Sequence, residues 1–276
     1  MKPAPFAYER PDNLDVAIRS LAEAGPEARL LGGGQTLGPM LNLRLAAPAR
    51  IIDLGSVGSL KRIERQRATL TIGAGVTHAM IEDRTDASPT GRLLSYVAST
   101  IAFRAIRNRG TIGGSLAHAD PAADWVTTTV LLDAQISLVG PSGARRVQAR
   151  EFFKGAFSTD LRPGEIIEAI DIVELSDEAR WGYYKICRKV GEFPEAIGAV
   201  VLDPARQIAR IIAGALEGPP VSLQGLAATV AQDGLAAADS AAVKRALGRA
   251  VPGLGAIDLQ IHATAVRRAV SQAISP

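Results

Sequence analysis

Cysteine is nearly absent from this chain of 276 residues, since Cys187 is its only one. A single cysteine excludes an internal disulfide. It also excludes an iron–sulfur cluster held by this chain alone, because such clusters usually take four cysteine ligands. The three histidines, His78, His118 and His262, lie far apart in the sequence and lack metal-ligand spacing. We therefore predict no metal site in this chain.

Aromatic residues make up only 4% of the chain and the net charge is only +3, whereas hydrophobic residues make up 47%. This composition is typical of a globular protein, and no basic face of the kind that binds nucleic acid is evident. Arg104, Arg107 and Arg109 form a cluster that either positions an anion or is simply solvated. No apolar run reaches membrane-spanning length, and the first six residues lack the apolar core of a signal peptide. We therefore expect a cytoplasmic protein without membrane insertion.

Two glycine-rich segments are the most informative features that are present. The first glycine segment comprises residues 32–36, Gly32-Gly33-Gly34-Gln35-Thr36, and the second comprises residues 111–115, Thr111-Ile112-Gly113-Gly114-Ser115. Glycine lets backbone N–H groups approach a ligand closely, and adjacent inward N–H groups form an anion site. The hydroxyl in each segment adds a donor. Together they predict a diphosphate bound from two sides, whereas the alternative for each segment is a plain tight turn.

Two familiar phosphate-binding motifs do not fit the first segment. The dinucleotide fingerprint G-x-G-x-x-G requires a glycine where Leu37 stands. A P-loop requires lysine after its second glycine, but Gly38 is followed by Pro39. Gly73 and Gly75 also follow an expected strand, and we interpret them as structural because His78 replaces the third glycine.

The order of expected elements indicates segregated helices and strands. A helix that Asp12 caps, a strand over 28–31, a short helix after Thr36 and a strand over 50–54 form a β-α-β unit. Hairpins are predicted from strands over 60–64 and 69–72, and again over 197–202 and 207–213. Three alanine-rich helices follow, over 223–232, 241–249 and 259–274. The pattern predicts an α+β protein with a boundary near 176–180.

The segment from residue 106 to residue 124 reads I-R-N-R-G-T-I-G-G-S-L-A-H-A-D-P-A-A-D. Together with the first glycine segment and the N-L-R-L at 42–45, it resembles the FAD-binding medium subunits of the molybdenum hydroxylases. These include carbon monoxide, quinoline and nicotine dehydrogenases and the flavin domain of xanthine dehydrogenase. Gly32 replaces alanine and Thr36 replaces serine in that pattern. Tyr184, Lys185, Arg188 and the G-E-F at 191–193 resemble a later motif, in which Glu192 replaces aspartate.

The resemblance implies a fold with a two-subdomain FAD-binding domain of the PCMH type. That domain would span residues 1–174, with subdomains at about 1–55 and 56–174. Residues 175–276 would form a smaller domain of the carbon monoxide dehydrogenase flavoprotein type, made of an antiparallel sheet and helices.

The resemblance also implies a set of residues around FAD. Both glycine segments would hold the pyrophosphate, with Asp124 near the adenosine and Lys185 near the flavin. The alternatives are a helix-start carboxylate for Asp124, a solvated lysine for Lys185, and core packing for Leu161 and Phe193. The cofactor-binding set is Leu31, Gly32, Gly33, Gly34, Gln35, Thr36, Leu37, Ile101, Thr111, Gly113, Gly114, Ser115, His118, Asp124, Leu161, Lys185 and Phe193. No residue is predicted to be catalytic.

The implied function is electron transfer within a larger enzyme. Non-covalent FAD in this chain would take electrons from two [2Fe-2S] clusters on a small partner subunit and pass them to an external acceptor. A large partner subunit would carry the molybdopterin cofactor, in a dimer of heterotrimers. A stand-alone FAD-dependent oxidoreductase of the same binding fold is the alternative, and a flavin-free scaffold protein is a third possibility that the intact glycine segments argue against.

Overall fold

The computed structural model describes residues 2–275 and begins with a small parallel sheet. Its elements are β1 (Ala7–Glu9), α1 (Leu14–Ala24), β2 (Ala28–Leu31), α2 (Leu37–Asn42) and β3 (Arg50–Asp53). The strands pair in the order β1-β3-β2, which confirms the predicted β-α-β unit and adds β1 to it. Asn13 caps α1 instead of Asp12, because the Asn13 side chain accepts the Val16 amide at 3.0 Å.

The middle of the chain forms an antiparallel sheet with helices against it. Its elements are β4 (Ile63–Gln66), β5 (Thr69–Gly73), α3 (His78–Glu82), α4 (Pro89–Thr100), α5 (Arg104–Arg107), α6 (Ile112–His118), α7 (Asp124–Leu131), β6 (Gln135–Gly140), β7 (Gly143–Gln148), α8 (Ala149–Phe152), β8 (Phe153–Gly155), β9 (Ser158–Thr159) and β10 (Ile166–Val173). Five of the strands pair in the order β4-β5-β10-β6-β7. The first predicted hairpin is confirmed as β4-β5, although Gly58–Lys61 is a 3₁₀ helix and not strand.

The last part of the chain is a second antiparallel sheet followed by three helices. Its elements are β11 (Arg180–Ile186), β12 (Ala196–Asp203), β13 (Ile208–Gly214), β14 (Val221–Ser222), α9 (Gln224–Asp233), α10 (Ser240–Ala250) and α11 (Ala256–Ile274). The strands pair in chain order. The predicted hairpin is confirmed as β12-β13, and the three predicted helices are confirmed within a few residues at each end.

This second sheet is covered on both faces, so all eight residues of β12 are buried. Ile197, Ala199 and Val201 belong to the core shared with the helices of the middle part, whereas Val200 and Leu202 belong to the core beneath α9, α10 and α11. The alternation is the period-two pattern of a strand buried on both sides. It places one face of β11 directly against α4 and α7, where the candidate site lies.

Close backbone approaches fix how these layers pack. A methyl group built on Gly182 would lie 1.9 Å from the Ala269 carbonyl oxygen of α11, so β11 and α11 are in backbone contact. Methyl groups built on Gly73 and Gly75 would lie 2.2 and 3.1 Å from the Leu60 carbonyl oxygen, which confirms that these two glycines are structural. The α+β fold class is confirmed. Within residues 2–275, no helix combines the length and the hydropathy that a membrane span requires.

Candidate functional site

The first glycine segment leaves β2 and enters α2 with its backbone donors unused. None of the five amides of residues 32–36 donates a hydrogen bond to another atom among the described residues. The segment is half-buried up to Gln35 and exposed at Thr36. Gly34 has a φ of 74°, a conformation that favours glycine. Adjacent backbone N–H groups without a protein acceptor suit an anion that can accept hydrogen bonds from several of them.

The second glycine segment is the first turn of helix α6 and not the free turn that the sequence suggested. Thr111 caps the helix, and its Oγ1 accepts the Gly114 amide at 3.1 Å. The amides of Ile112 and Gly113 donate to the carbonyl oxygens of Val76 and Ala74, each at 3.0 Å, and the Ser115 amide donates to Thr111. In this segment only the Thr111 amide has no acceptor within the described residues. The backbone here is thus largely occupied by the fold, and the Ser115 hydroxyl remains as a donor.

The two glycine segments touch each other. A methyl group built on Gly33 would lie 1.8 Å from the Arg109 carbonyl oxygen, and one on Gly32 would lie 2.8 Å from Thr111 Oγ1. Gly113 is confined by another contact, since its methyl group would lie 2.4 Å from the Ala74 Cβ. These glycines are required by contact within the protein itself. Gly32 and Gly33 let the first segment pack against Thr111 and Arg109, whereas Gly113 lets the second segment pack against Ala74.

The arginine cluster ahead of the second segment is structural for two of its three members. Arg107 binds both carboxylate oxygens of Glu82, at 2.7 and 2.9 Å, and its remaining nitrogen donates to the Ile101 and Ala102 carbonyls. Arg104 also binds Glu82 and pairs with Asp83. Arg107 is therefore neither solvated nor free to position an anion, whereas Arg104 pairs with carboxylates while its side chain stays 47% exposed. Arg109 is exposed, and its side chain forms no ion pair among the described residues.

A buried histidine supports the approach to the second segment. The His78 amide donates to the Gly110 carbonyl at 2.9 Å, and the indole N–H of Trp125 donates to His78 Nδ1 at 3.0 Å. Burial, with a smaller contribution from Arg107, lowers the pKa of His78 to about 4. The imidazole is therefore neutral near pH 7, and accepting the indole proton assigns its own proton to Nε2. The sequence indicated no role for this pair.

A buried ion pair lies where β11 meets α4 and α7. Lys185 Nζ is 3.1 and 3.2 Å from the two carboxylate oxygens of Asp124, and it donates to the Thr100 carbonyl at 2.8 Å. The side chains of Lys185 and Asp124 are only 10% and 7% exposed. Lys185 is thus not a solvated lysine. Because these two groups are so close, they would contact neighbouring parts of a bound cofactor.

Tyr183 completes this cluster and was missed in the sequence. Its hydroxyl donates to Asp124 Oδ1 at 2.8 Å, and its side chain is fully buried. Burial, followed by the Asp124 carboxylate, raises the pKa of Tyr183 well above its usual value, so the hydroxyl stays protonated. The sequence motif had drawn attention to Tyr184, which instead contacts Arg268. The available signal was the spacing from Tyr183 to Lys185, because alternate residues of a strand share a face.

The other predicted cofactor contacts lie around these two centres. Leu31 and Leu37 flank the first glycine segment and are half-buried. Ile101 follows α4 beside Thr100, and Leu161 packs against the main core. His118 ends α6, where its ring centroid lies 5.0 Å from that of Phe157.

Phe193 lies in the connection between β11 and β12 and is 68% exposed, so it is not a core residue. The same connection approaches the end of α4. A methyl group built on Gly191 would lie 3.0 Å from the Ala102 carbonyl oxygen. Phe193 is therefore free to contact a bound molecule on this side of the protein.

No metal centre accompanies these groups in the part of the chain that the structure describes. Across residues 2–275 no three histidine, cysteine or carboxylate side chains come together in a way that would hold an ion. A polar depression does exist on the outer face of the five-stranded sheet, lined by residues such as Thr71, Arg146 and Asp171. It includes none of the predicted site residues. The Asp171 carboxylate there is already satisfied by the hydroxyls of Thr71 and Ser137.

Comparison with known proteins gives matches over most or all of the chain. Residues 4–172 match the family described as the FAD binding domain in molybdopterin dehydrogenase. The 6-hydroxypseudooxynicotine dehydrogenase complex subunit alpha of Paenarthrobacter nicotinovorans is 35% identical over 214 residues, covering 76% of this chain and 72% of its own. The carbon monoxide dehydrogenase medium chain of Afipia carboxidovorans is 37% identical over 203 residues, covering 73% and 70%.

Solved structures agree with these sequence matches. A chain of the reconstituted CO dehydrogenase from Oligotropha carboxidovorans superimposes with a TM-score of 0.91 at 30% identity, covering 100% of this chain and 99% of that one. A chain of quinoline 2-oxidoreductase from Pseudomonas putida 86 gives a TM-score of 0.87 at 30% identity, covering 99% and 98%. The similarity therefore extends through the C-terminal sheet and helices as well as the glycine segments.

Proposed function

The chain belongs to the family of FAD-binding domains of molybdopterin dehydrogenases, and from this membership we propose that it is the electron-transferring flavin subunit of a multi-subunit molybdenum hydroxylase. In this role it receives electrons from iron–sulfur clusters on a partner chain and delivers them to an external acceptor. Bound FAD supplies the redox chemistry, and the protein supplies binding, orientation and electrostatics.

The five unused amides of residues 32–36 carry this proposal. A pyrophosphate offers several anionic oxygens, and adjacent backbone N–H groups can donate hydrogen bonds to them without a charged side chain. The Ser115 hydroxyl and the Thr111 amide, on the segment in contact, provide donors from the second side. We propose that the first segment makes most of the pyrophosphate contacts and that the second mainly fixes its shape.

We propose that Asp124 and Lys185 act together on the flavin side of the cofactor. Lys185 Nζ lies 3.1 Å from the Asp124 carboxylate, and the positive charge of an ammonium group favours negative charge on a nearby reduced ring. Ile101, Leu161 and Phe193 would surround this end, and Leu31, Leu37 and His118 would contact the cofactor elsewhere. This assignment includes the domain division proposed from the sequence, with residues 1–174 holding most of the cofactor and residues 175–276 contributing Lys185.

The iron–sulfur and molybdenum chemistry is assigned to partner subunits in this proposal. The chain has one cysteine, so it lacks the ligands for two [2Fe-2S] clusters. The similar protein of Paenarthrobacter nicotinovorans is itself named as a subunit of a dehydrogenase complex. We propose a small iron–sulfur subunit and a large molybdopterin subunit as partners, assembled as a dimer of heterotrimers in the cytoplasm.

Flavin content is the first experiment. The purified chain or its complex should contain about one FAD per chain, released into the supernatant on acid precipitation and measured by absorbance. Yellow colour that stays in the pellet would contradict non-covalent binding. A colourless native protein that takes up no added FAD would contradict the proposed function.

Removal of FAD from the assembled complex tests the electron path. In rapid-mixing spectroscopy, substrate should still reduce the iron–sulfur clusters of the FAD-free complex, whereas transfer to the natural acceptor should stop and should return on adding FAD. Unimpaired turnover with that acceptor, or substrate oxidation by this chain alone, would favour a stand-alone oxidoreductase over the relay.

A further inference from the structure

Tyr183 and Lys185 converge on one oxygen of a buried carboxylate. They lie two residues apart on β11 and therefore on the same face of the sheet. The Tyr183 hydroxyl is 2.8 Å and Lys185 Nζ is 3.1 Å from Asp124 Oδ1. The Tyr183 amide also donates to Gln272 Oε1 of α11 at 3.0 Å, so its backbone is held from the opposite side. The Asp124 carboxylate is thus held in place by Tyr183, whose own side chain is buried.

The charges explain why such a residue is needed. A buried carboxylate requires donors, and a buried ammonium requires acceptors, because each has lost its water. Asp124 accepts from Tyr183 and Lys185, whereas Lys185 donates to Asp124 and to the Thr100 carbonyl. Without the phenol, Asp124 would rotate more freely about its side-chain bonds. The Lys185 ammonium would then be held less firmly, by the Thr100 carbonyl and a more mobile carboxylate.

We propose that Tyr183 is a positioning residue of the cofactor site, which orients Asp124 and through it fixes the Lys185 ammonium toward the bound flavin. The inference rests on the proposed function, since it assumes that FAD is the molecule beside Lys185. It adds a residue that touches neither FAD nor the acceptor. It also predicts that the three side chains behave as one unit.

A double-mutant cycle on the full chain tests this unit. Tyr183→Phe removes one hydroxyl at constant shape, Lys185→Met removes the charge, and the double variant combines them. FAD dissociation constants are measured by flavin fluorescence and the flavin midpoint potential by spectroelectrochemistry, with urea unfolding as a measure of stability. The matched control is Tyr184→Phe, which removes a hydroxyl from the neighbouring residue that contacts Arg268.

Tyr183→Phe should weaken FAD binding about fivefold and shift the midpoint potential in the same direction as Lys185→Met, to a smaller extent. Lys185→Met should lower the potential, because it removes a positive charge beside the ring. In the Lys185→Met background, Tyr183→Phe should change neither quantity appreciably. Tyr184→Phe should leave both at the wild-type value.

Equal effects of Tyr183→Phe in both backgrounds, or no effect on either quantity, would overturn the inference. If Tyr183→Phe does not fold, Asp124→Asn serves the same purpose, because it keeps the side-chain shape and should weaken FAD binding only when Lys185 is present. An equal loss in the Lys185→Met background would then contradict the unit. Failure of the proposed function is distinguishable, since the wild-type chain would then bind no FAD.

Discussion

The two glycine segments resemble each other in composition but differ in what their backbones do. Residues 32–36 leave five amides without a protein acceptor, whereas the amides of residues 112–115 all donate to protein oxygens. One segment is open toward a ligand, and the other is closed into the fold. A glycine pair next to a hydroxyl residue therefore does not by itself indicate a phosphate contact, because the hydrogen bonds decide the role.

The two segments also differ in why glycine is needed at each position. Gly33 and Gly113 are both confined by backbone or Cβ atoms of other residues, and Gly114 is exposed with only Thr111 Oγ1 close by. Adding a methyl group at these positions should therefore damage the protein in different ways.

Gly33→Ala should have the largest effect, because the new methyl group would lie 1.8 Å from the Arg109 carbonyl oxygen and force the two segments apart. We expect a loss of about 3 kcal/mol in the free energy of unfolding, measured in urea, and loss of bound FAD. Gly38→Ala is the matched control, since nothing lies within 4 Å of its new methyl group. Wild-type stability and FAD content in Gly33→Ala would disprove the contact between the segments.

Gly113→Ala and Gly114→Ala distinguish effects on protein stability from effects on ligand binding within one helical turn. The Gly113 methyl group would meet Ala74 at 2.4 Å, so this variant should lose about 2 kcal/mol of unfolding free energy. Gly114→Ala should keep its stability within about 1 kcal/mol, because alanine favours the helix and offsets the 2.9 Å contact with Thr111. Urea unfolding measures the stability of each variant, and flavin fluorescence measures its affinity for FAD. Similar stability losses in both variants would contradict the distinction.

Acid should weaken the support of the second segment through His78. Because the pKa of His78 is lowered to about 4 in the folded protein, the unfolded chain binds more protons between that value and its ordinary pKa near 6.5. Stability should therefore rise with pH across this window, and lowering the pH from about 7.5 to about 5.5 should cost about 1 kcal/mol through this group.

Urea unfolding at several pH values checks the contribution of His78. Its replacement in His78→Gln removes the titrating ring, so the dependence of stability on pH in this window should be smaller than in the wild type. An identical dependence in the two proteins would show that His78 does not titrate as its burial implies.

Much of the fold and part of the site could be predicted from sequence because they depend on local pattern. The hairpins, the helices and the β-α-β unit follow from periodicity and turn residues near them in the chain. The hydrogen bonds of the second segment could not be predicted, because their acceptors, Ala74 and Val76, belong to a different stretch of the chain. The partners of Arg107 on α3 were hidden for the same reason.

The buried cluster of Tyr183, Asp124 and Lys185 likewise depends on contacts that the sequence alone does not reveal. The motif around Lys185 suggested Tyr184, but the pleat of β11 turns Tyr183 toward Asp124 and Tyr184 toward Arg268. Which face of β11 meets α7 is set by packing on both sides of the sheet. A shift of one residue in strand register exchanges the two faces of a strand. A sequence motif that does not fix the register therefore cannot tell whether Tyr183 or Tyr184 faces Asp124.

Hydrogen exchange with and without FAD tests the central claim most directly. Peptides that cover residues 32–36 should exchange fast in the FAD-free chain and become protected when FAD is added, because their amides acquire phosphate acceptors. Peptides that cover residues 112–115 should already be protected and should change little. Unchanged exchange at 32–36, or new protection confined to 112–115, would contradict the assignment of the first segment as the open pyrophosphate site.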